Sequence, residues 1–551
     1  MAKTSTQNQK NKFSKWLPLL VLSSAMMIVI IDTTVLNVSI SNMISDLKTN
    51  VQSIQWVISA YSLTLAALTV TGGRLGDLFG RKKMFIVGAI LFALGSLVTA
   101  LAPTISWVII GNAIIEGIGA ALMMPATSAL LMSTYKGKDR ALAFAIWGGV
   151  SASAAAIGPI LGGWLTTTYS WRWAFIINLF VVAALLYGAR CLKESKEEKG
   201  GTDLDLIGIL LSSLGLVSIV YGLIESSTYG WGKALKPFAI FDNSFAPFGL
   251  SVAPIAIAVG IILLAIFAVY ELKLEKKGKT PLVSPELFLN KQFTAGSLTT
   301  MLQTLSMTGI IFSLPIYYQS VLGLDALRTG FGLLPMSLAV MIGAPLSLRL
   351  VGRFTPKQVI MIGLGLSLIG AILLRNAFSV DASVWSFAPG LVLFGVGMGF
   401  GFSQLSNLTL SAVSVKQAGE ASGVNNTIRQ IGSSFGSAVM GAVLLATLSS
   451  SVVTHINDNK NIPDQAKPAI TKQVKDAGSN IEFASPEQAQ SVPAPIANAV
   501  EESIHQSTVD GNKAAMTLAI VFSVATLVFS LLLPNIKNLE TSEDISRAVS
   551  H

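Results

Sequence analysis

The sequence predicts an all-helical membrane protein with fourteen spanning helices. Three observations carry that expectation. Apolar residues make up 52% of the chain and charged residues 12%, about half the charged share of an ordinary soluble protein. Apolar runs of spanning length recur from one end of the chain to the other. Lys and Arg gather in every second gap between those runs, as the positive-inside rule requires of helices that alternate in direction.

In order, the runs lie at 17 to 40, 54 to 72, 84 to 102, 106 to 132, 141 to 165, 173 to 190, 205 to 224, 251 to 270, 293 to 318, 328 to 348, 358 to 375, 386 to 412, 424 to 448 and 513 to 533. Gaps on the side of the N-terminus hold Lys10, Lys12 and Lys15, then Arg74, Arg81, Lys82 and Lys83, then Lys136, Lys138 and Arg140, and continue so to Arg349, Arg353 and Lys357. The opposite side holds Lys48, Arg172, Lys233, Lys236, Arg328 and Arg375 before one long polar loop. An odd helix count in the middle would scramble this bias, so the bias supports the count and places both termini in the cytoplasm. The net charge of +9 then reflects that bias and attraction to anionic lipid headgroups, and calls for no nucleic-acid partner. A single Cys191 excludes an intrachain disulfide and a cysteine metal cluster. The first run is too long for a signal-peptide core and is expected to stay attached.

Within the first run, MMIVIIDTTVLNVSI at 26 to 40 carries Asp32 with no countercharge nearby. It stands sixteen residues from Trp16, hence ~24 Å from the inner interface. An acid at that depth costs at least ~2.5 kcal/mol, so a functional use is expected, the alternative being a permanently protonated hydrogen-bonded group. Thr33, Thr34 and Asn37 offer neutral partners. Burial favours the protonated carboxyl and an arriving cation the ionised one, so proton and cationic cargo would compete for it. In the fourth run, WVIIGNAIIEGIGAALMMPATSALL at 107 to 131, Glu116 is a second uncompensated acid, either a protonation site or a structural hydrogen bond. Met123 and Met124 are expected to be packing residues.

The gap GGRLGDLFGRKK at 72 to 83 reads as a tight turn, with Gly73, Gly76 and Gly80 where the backbone reverses and Asp77 among Arg74, Arg81, Lys82 and Lys83. A degraded echo, GAPLSLRLVGRFTPK at 343 to 357, has Gly352 where the acid would be, as an internal repeat would leave. Helix five, GGVSASAAAIGPILGGWL at 148 to 165, is small-sided for close packing and bent by Pro159. Arg429 is placed to snorkel to the inner face or pair with a membrane acid, and Gln303, Gln404 and Asn407 line a cavity or pack between helices.

The turn G-x-L-x-D-x-x-G-R-K-K, with Gly73, Asp77, Gly80, Arg81 and Lys82, resembles the loop signature of the major facilitator superfamily of secondary transporters. Gly158, Pro159, Gly162 and Gly163 resemble its antiporter motif, with Ala154 where another glycine is usual. IDTTVLNVSI resembles the first-helix motif of the fourteen-helix drug:proton antiporters, the QacA and EmrB-like family, with Ser41 in place of a usual proline. SWRWAFIINLF at 170 to 180, DLIGILL at 205 to 211 and GVNNTIRQIGSSFG at 423 to 436 also resemble it. Helix four departs from it, with Asn112 and Ala113 where most members carry an arginine and Glu116 where glutamine is common.

The resemblance implies a major facilitator fold of two six-helix bundles, 17–190 and 293–533, with two inserted helices and an extracellular loop at 205–270. Cytoplasmic segments would be 1–16, 191–204, 271–292 and 534–551. The outer loop 449–512 is a linker or a small ordered element, and Ile496, Val500 and Ile504, four apart, permit an amphipathic helix. The function implied is proton-coupled export of hydrophobic, cationic drugs from a bacterial cytoplasmic membrane, by a monomer with no cofactor, the turn at 73 to 83 holding the outward-facing state. A mover of an endogenous metabolite or lipid is the nearest rival, and a non-transporting receptor the rival of another class. No ATPase loop is present, since the GKT at 278 to 280 has Lys273 where the first glycine belongs. His455, His505 and His551 all lie in polar segments, so no enzyme site is expected.

Overall fold

A computed structural model describes residues 2–135, 137–195, 205–234, 249–277, 281–351, 353–413, 418–471 and 494–535, with 238–240, 243–245 and Lys279. Among them are fourteen long helices: α1 Ala2–Val38, α2 Val51–Phe79, α3 Arg81–Ala100, α4 Ile105–Thr134, α5 Gly137–Thr168, α6 Arg172–Gly188, α7 Leu206–Tyr229, α8 Val252–Lys276, α9 Lys291–Ser320, α10 Ala326–Leu350, α11 Pro356–Ala377, α12 Ala388–Leu410, α13 Ala418–Asp458 and α14 Ala494–Ser530. Thirteen hold stretches long and apolar enough to cross a membrane. The fourteenth predicted run falls in α5, many of whose side chains lie outside the described residues, as do the side chain of Asp77, Gly352, and residues 196–204, 472–493 and 536–551.

Helices α1 to α6 pack among themselves, as do α9 to α14, and the two sets meet where α2 lies on α13 and α5 on α10. If the halves are repeats, helix two corresponds to ten and five to thirteen, so these two contacts are one contact seen twice. Glycine spacing shows the same repeat. Gly88 and Gly95 of α3 sit against the backbone of Gly119 and Gly111 of α4, while Gly363 and Gly370 of α11 sit against Gly397 and Gly390 of α12. In each pair a Cβ would meet a carbonyl oxygen of the facing helix, so the approach depends on its absence.

The turn between α2 and α3 is tighter than the sequence suggested. Gly73 and Gly76 lie inside α2, and the reversal falls on Gly80 alone, at φ +111°. A Cβ there would also stand 2.8 Å from the Glu194 carboxylate. That carboxylate accepts from Lys82 N at 2.9 Å, capping the start of α3. Lys82 Nζ donates to Leu192 O at 2.8 Å and Arg81 N to Ser195 O at 3.1 Å. The basic turn thus clasps the chain leaving α6.

Hydrogen bonds between the two sets cluster toward the opposite end. Gln319 Nε2 donates to Val38 O at 3.0 Å and its Oε1 accepts from Ser41 N, while Leu327 N donates to Thr167 Oγ1 at 3.2 Å. Gln55 Nε2 donates to Ala438 O at 2.7 Å, and Ser59 and Ser437 hydroxyls lie 2.6 Å apart. Inserted helix α7 rests on both α2 and α13 through Leu216, Val220 and Ile224 against Leu63, Ala66 and Ala438. Beyond the bundle, the end of α13 and the start of α14 pack as a helix pair around Leu448, Val452, Ile456 and Ala499, with Val500 and Ile504 at the edge. Residues 449–458 and 494–512 of the expected loop are helical here, as the ends of α13 and α14.

Candidate functional site

Close packing of α3 on α4 delivers two polar side chains into the first bundle. A Cβ on Gly95 would stand 2.5 Å from Glu116 N and from Gly111 O, so the backbones touch at this level. Here α4 is wound as a π-helix from Ile109 to Glu116, a form that absorbs one extra residue and recurs at functional sites. The repeat shows that one residue is extra. Gly111 and Gly119 are eight apart where Gly390 and Gly397 are seven. Asn112 and Glu116, both inside this wider turn, are fully buried and face inward.

They meet Asp32 of α1 and two residues that the sequence reading did not single out. Asn112 Nδ2 donates to Asp32 Oδ2 at 3.0 Å and to Glu116 Oε2 at 3.1 Å. Asn178 Nδ2, from α6, lies 3.1 Å from Asp32 Oδ1, 3.2 Å from Glu116 Oε1 and 3.0 Å from Ser96 Oγ. Ser96 Oγ donates to Glu116 Oε1 at 2.6 Å. All four carboxyl oxygens accept a hydrogen bond, and every donor is an amide or hydroxyl. Asp32 is 3% exposed, and Glu116 and Asn112 are fully buried. Among the described residues no Lys, Arg or His bonds to either acid. The Asn112 Oδ1 and Tyr61 hydroxyl are buried without partners.

Other candidates lie elsewhere. Thr33 Oγ1 and Thr34 Oγ1 donate to the carbonyls of Ile30 and Ile31, and Asn37 Nδ2 to Thr33 O, so all three serve their own helix rather than Asp32. On the same helix Thr34 and Val35 receive α5, where a Cβ on Gly158 would collide with Thr34 Oγ1 and one on Gly162 with Val35. Gly163 faces Ala326 of α10, and Pro159 O lies under Gly330. The helix-five motif therefore sits between Asp32's helix and the other bundle. Gln303, against Met398 Sδ, and Gln404, donating to Ser347 Oγ at 3.0 Å, are buried inside the second bundle, and Asn407 is exposed. Met123 and Met124 are core residues of the first bundle. Arg429 is half-buried on α13, its Nη2 donating to Asn426 Oδ1 at 2.8 Å. The missed Asn178 had a usable signal: it is the one polar residue in AFIINLFVVAALL. Ser96 had none, since lone serines are common in spanning helices.

A family model described as the Major Facilitator Superfamily matches residues 22–437. The chain is 28% identical over 505 residues to the tetracenomycin C resistance and export protein of Streptomyces glaucescens, covering 92% of this chain and 89% of that one. It is 30% identical over 445 residues to the puromycin resistance protein pur8 of Streptomyces alboniger, covering 80% and 84%. Among solved structures, a bacterial homologue of the human lysosomal transporter Spinster matches with a TM-score of 0.59 at 16% identity, covering 94% of this chain and 98% of that one.

Proposed function

The chain belongs to the Major Facilitator Superfamily, and we propose that it is a proton-coupled exporter of hydrophobic compounds. Its homologues are resistance and export proteins, and it is a multi-pass protein of the bacterial cell membrane. The observation that carries the coupling is the Asp32–Glu116 pair. Two carboxyls sealed together among neutral donors have no base to balance them, and two ionised carboxylates in one dry site repel strongly. The pair is therefore the place where a proton is held while the bundle is closed around it. Its donors come from α3, α4 and α6, so a change in proton occupancy rearranges bonds among four helices at once. Such a change would bias the rocking of one bundle against the other.

Positive-inside bias makes the basic end cytoplasmic. The cross-bundle bonds around Gln319 and Gln55 then close the outer end, which is an inward-facing arrangement. The sequence led to a lipophilic cation as cargo because Asp32 had no visible partner. With the pair's oxygens already engaged inside one bundle, the proton is the cation it takes, and the cargo's charge is met elsewhere.

The test is efflux from everted vesicles under an imposed pH gradient, with Asp32→Asn and Glu116→Gln at matched expression and cargo binding measured separately. Both variants are expected to bind cargo yet lose gradient-driven movement. Gradient-driven efflux that survives in both would remove the pair from the coupling.

A further inference from the structure

Arg429 is a charge inside a spanning helix with one hydrogen bond among the described residues, to Asn426 Oδ1. We propose that it docks the anionic group, a carboxylate or phenolate, of a hydrophobic cargo in the cleft between the bundles, an inference that rests on the exporter reading above. Its position follows from its neighbours on α13. One turn further along, Ser433 meets Ser62 of α2 at 3.2 Å and Thr308 of α9 at 3.2 Å. Ser433 thus stands at the junction of the two bundles. Residues four apart share a helix face, so Arg429 continues that face one turn, ~6 Å, toward the basic end.

A guanidinium is always charged and carries five N–H donors in a planar fork suited to carboxylates. Among the described residues one acceptor is present, Asn426 Oδ1, and no carboxylate lies within salt-bridge distance. Three described acids of the spanning helices are engaged elsewhere. Asp32 and Glu116 are enclosed in the first bundle, and Glu225 accepts from Trp56 Nε1 at 2.9 Å and Gln52 Nε2 at 3.3 Å.

The repeat supplies a control. Gly158 and Gly162 of α5 receive α1, as Gly432 and Gly436 of α13 receive Met301 and Leu305 of α9. Hence I-G-P-I-L-G-G at 157 to 163 matches I-G-S-S-F-G-S at 431 to 437, and the position equivalent to Arg429 is Ala155. The fold does not need an arginine there. An uncompensated ionisable group in a spanning segment marks a functional site by default, and here the missing partner is an anion.

Fluorescein and rhodamine 123 share a xanthene core and differ in sign of charge, so they isolate the effect. Fluorescence anisotropy on the purified full chain in detergent, with no gradient, measures binding whether or not proton coupling holds. Wild type is expected to prefer fluorescein. Arg429→Gln should lose about tenfold to a hundredfold in fluorescein affinity, the size of one charged hydrogen-bonded pair, with rhodamine 123 unchanged. Arg429→Lys, which keeps the charge but not the fork, should fall between and guards against a folding defect. Preference for rhodamine 123, identical fluorescein titrations in wild type and Arg429→Gln, or no binding of either dye overturns the proposal. So does displacement of fluorescein by phosphatidylglycerol at lower concentration than fluorescein itself, which would give the site to a lipid headgroup.

Discussion

Helices α4 and α12 occupy equivalent places in the two halves, packed through paired glycines on α3 and α11, yet one carries an acid cluster and the other does not. Registering Gly119 on Gly397 and Gly111 on Gly390 sets Glu116 opposite Phe394 and Asn112 opposite Leu391. Ser96, beside Gly95, falls opposite Ala371, beside Gly370. Phe394, Leu391 and Ala371 are all buried in the second bundle's apolar core. The frame is therefore repeated and the chemistry is not. Packing alone is satisfied by the apolar version, so the polar version in the first half is an addition that costs burial energy and calls for a use.

The largest test of this comparison removes one residue from the stretch that distinguishes the frames. Ile114 is in the π-helix and 45% exposed, so its deletion takes nothing from the core. The deletion would restore the seven-residue glycine spacing of α12 and turn Asn112 by ~100° relative to Glu116. Gradient-driven efflux is expected to vanish while the protein still purifies as a folded monodisperse species. If efflux persists, the π-helix is not what aims the pair.

A smaller effect sharpens the packing half of the comparison. Gly95→Ala forces a methyl onto the backbone of α4 at Glu116 N, whereas a Cβ on Gly365 of α11 meets nothing within 4 Å. The first should cost about 1 to 3 kcal/mol through overpacking, and the second should stabilise α11 by up to ~1 kcal/mol. Thermal melting of the two purified variants separates them. Equal losses would mean that the glycine contacts are not what sets the α3–α4 approach.

Much of this was legible in the chain. Span positions follow from apolar runs, and Asp32 and Glu116 stood out because ionisable groups in such runs are rare. Their meeting was not legible, since nothing in residues 84 apart says that they share two asparagines. Asn178 was hidden by being uncharged, and Ser96 by being small. The repeat showed only as a worn loop at 343 to 357 because its stronger trace, the glycine pairs, is thrown out of register by the extra residue in α4. Gly73 and Gly76 read as turn residues because glycine marks reversals, yet both lie inside α2, and the close approach to α4 falls on their neighbour Gly72, whose Cβ would meet Ala121 O. Polarity alone leaves Gln303 and Gln404 between lining a cavity and packing between helices; both are buried inside the second bundle, where Gln303 borders a small cavity with Ser306, Ser367 and Thr526.

The smallest effect concerns an acid of the opposite kind, Asp46, in the short helix Ile40–Leu47 after α1. It faces the rim rather than the core. Trp171 Nε1 donates to its carboxylate at 2.9 Å and Arg172 pairs with it, while Arg172 Nη2 also donates to Ala102 O at 3.0 Å. Burial pushes the Asp46 carboxyl up, but the indole and the guanidinium outweigh it and hold the group below the usual carboxylate range. A carboxyl depressed in the folded state stabilises at every pH above its unfolded value, and that contribution is lost as pH falls through the folded value. Because the pair is partly exposed and screened by solvent, Asp46→Asn should cost only ~0.2 to 1 kcal/mol near neutrality. The melting difference between wild type and variant should shrink in high salt and close below about pH 4. A difference that survives acid would mean that Asp46 acts through the shape of the contact with Trp171 instead of through charge. The rim acid would then be neutral scaffolding in function, and charge chemistry in the first bundle would belong to the enclosed pair alone.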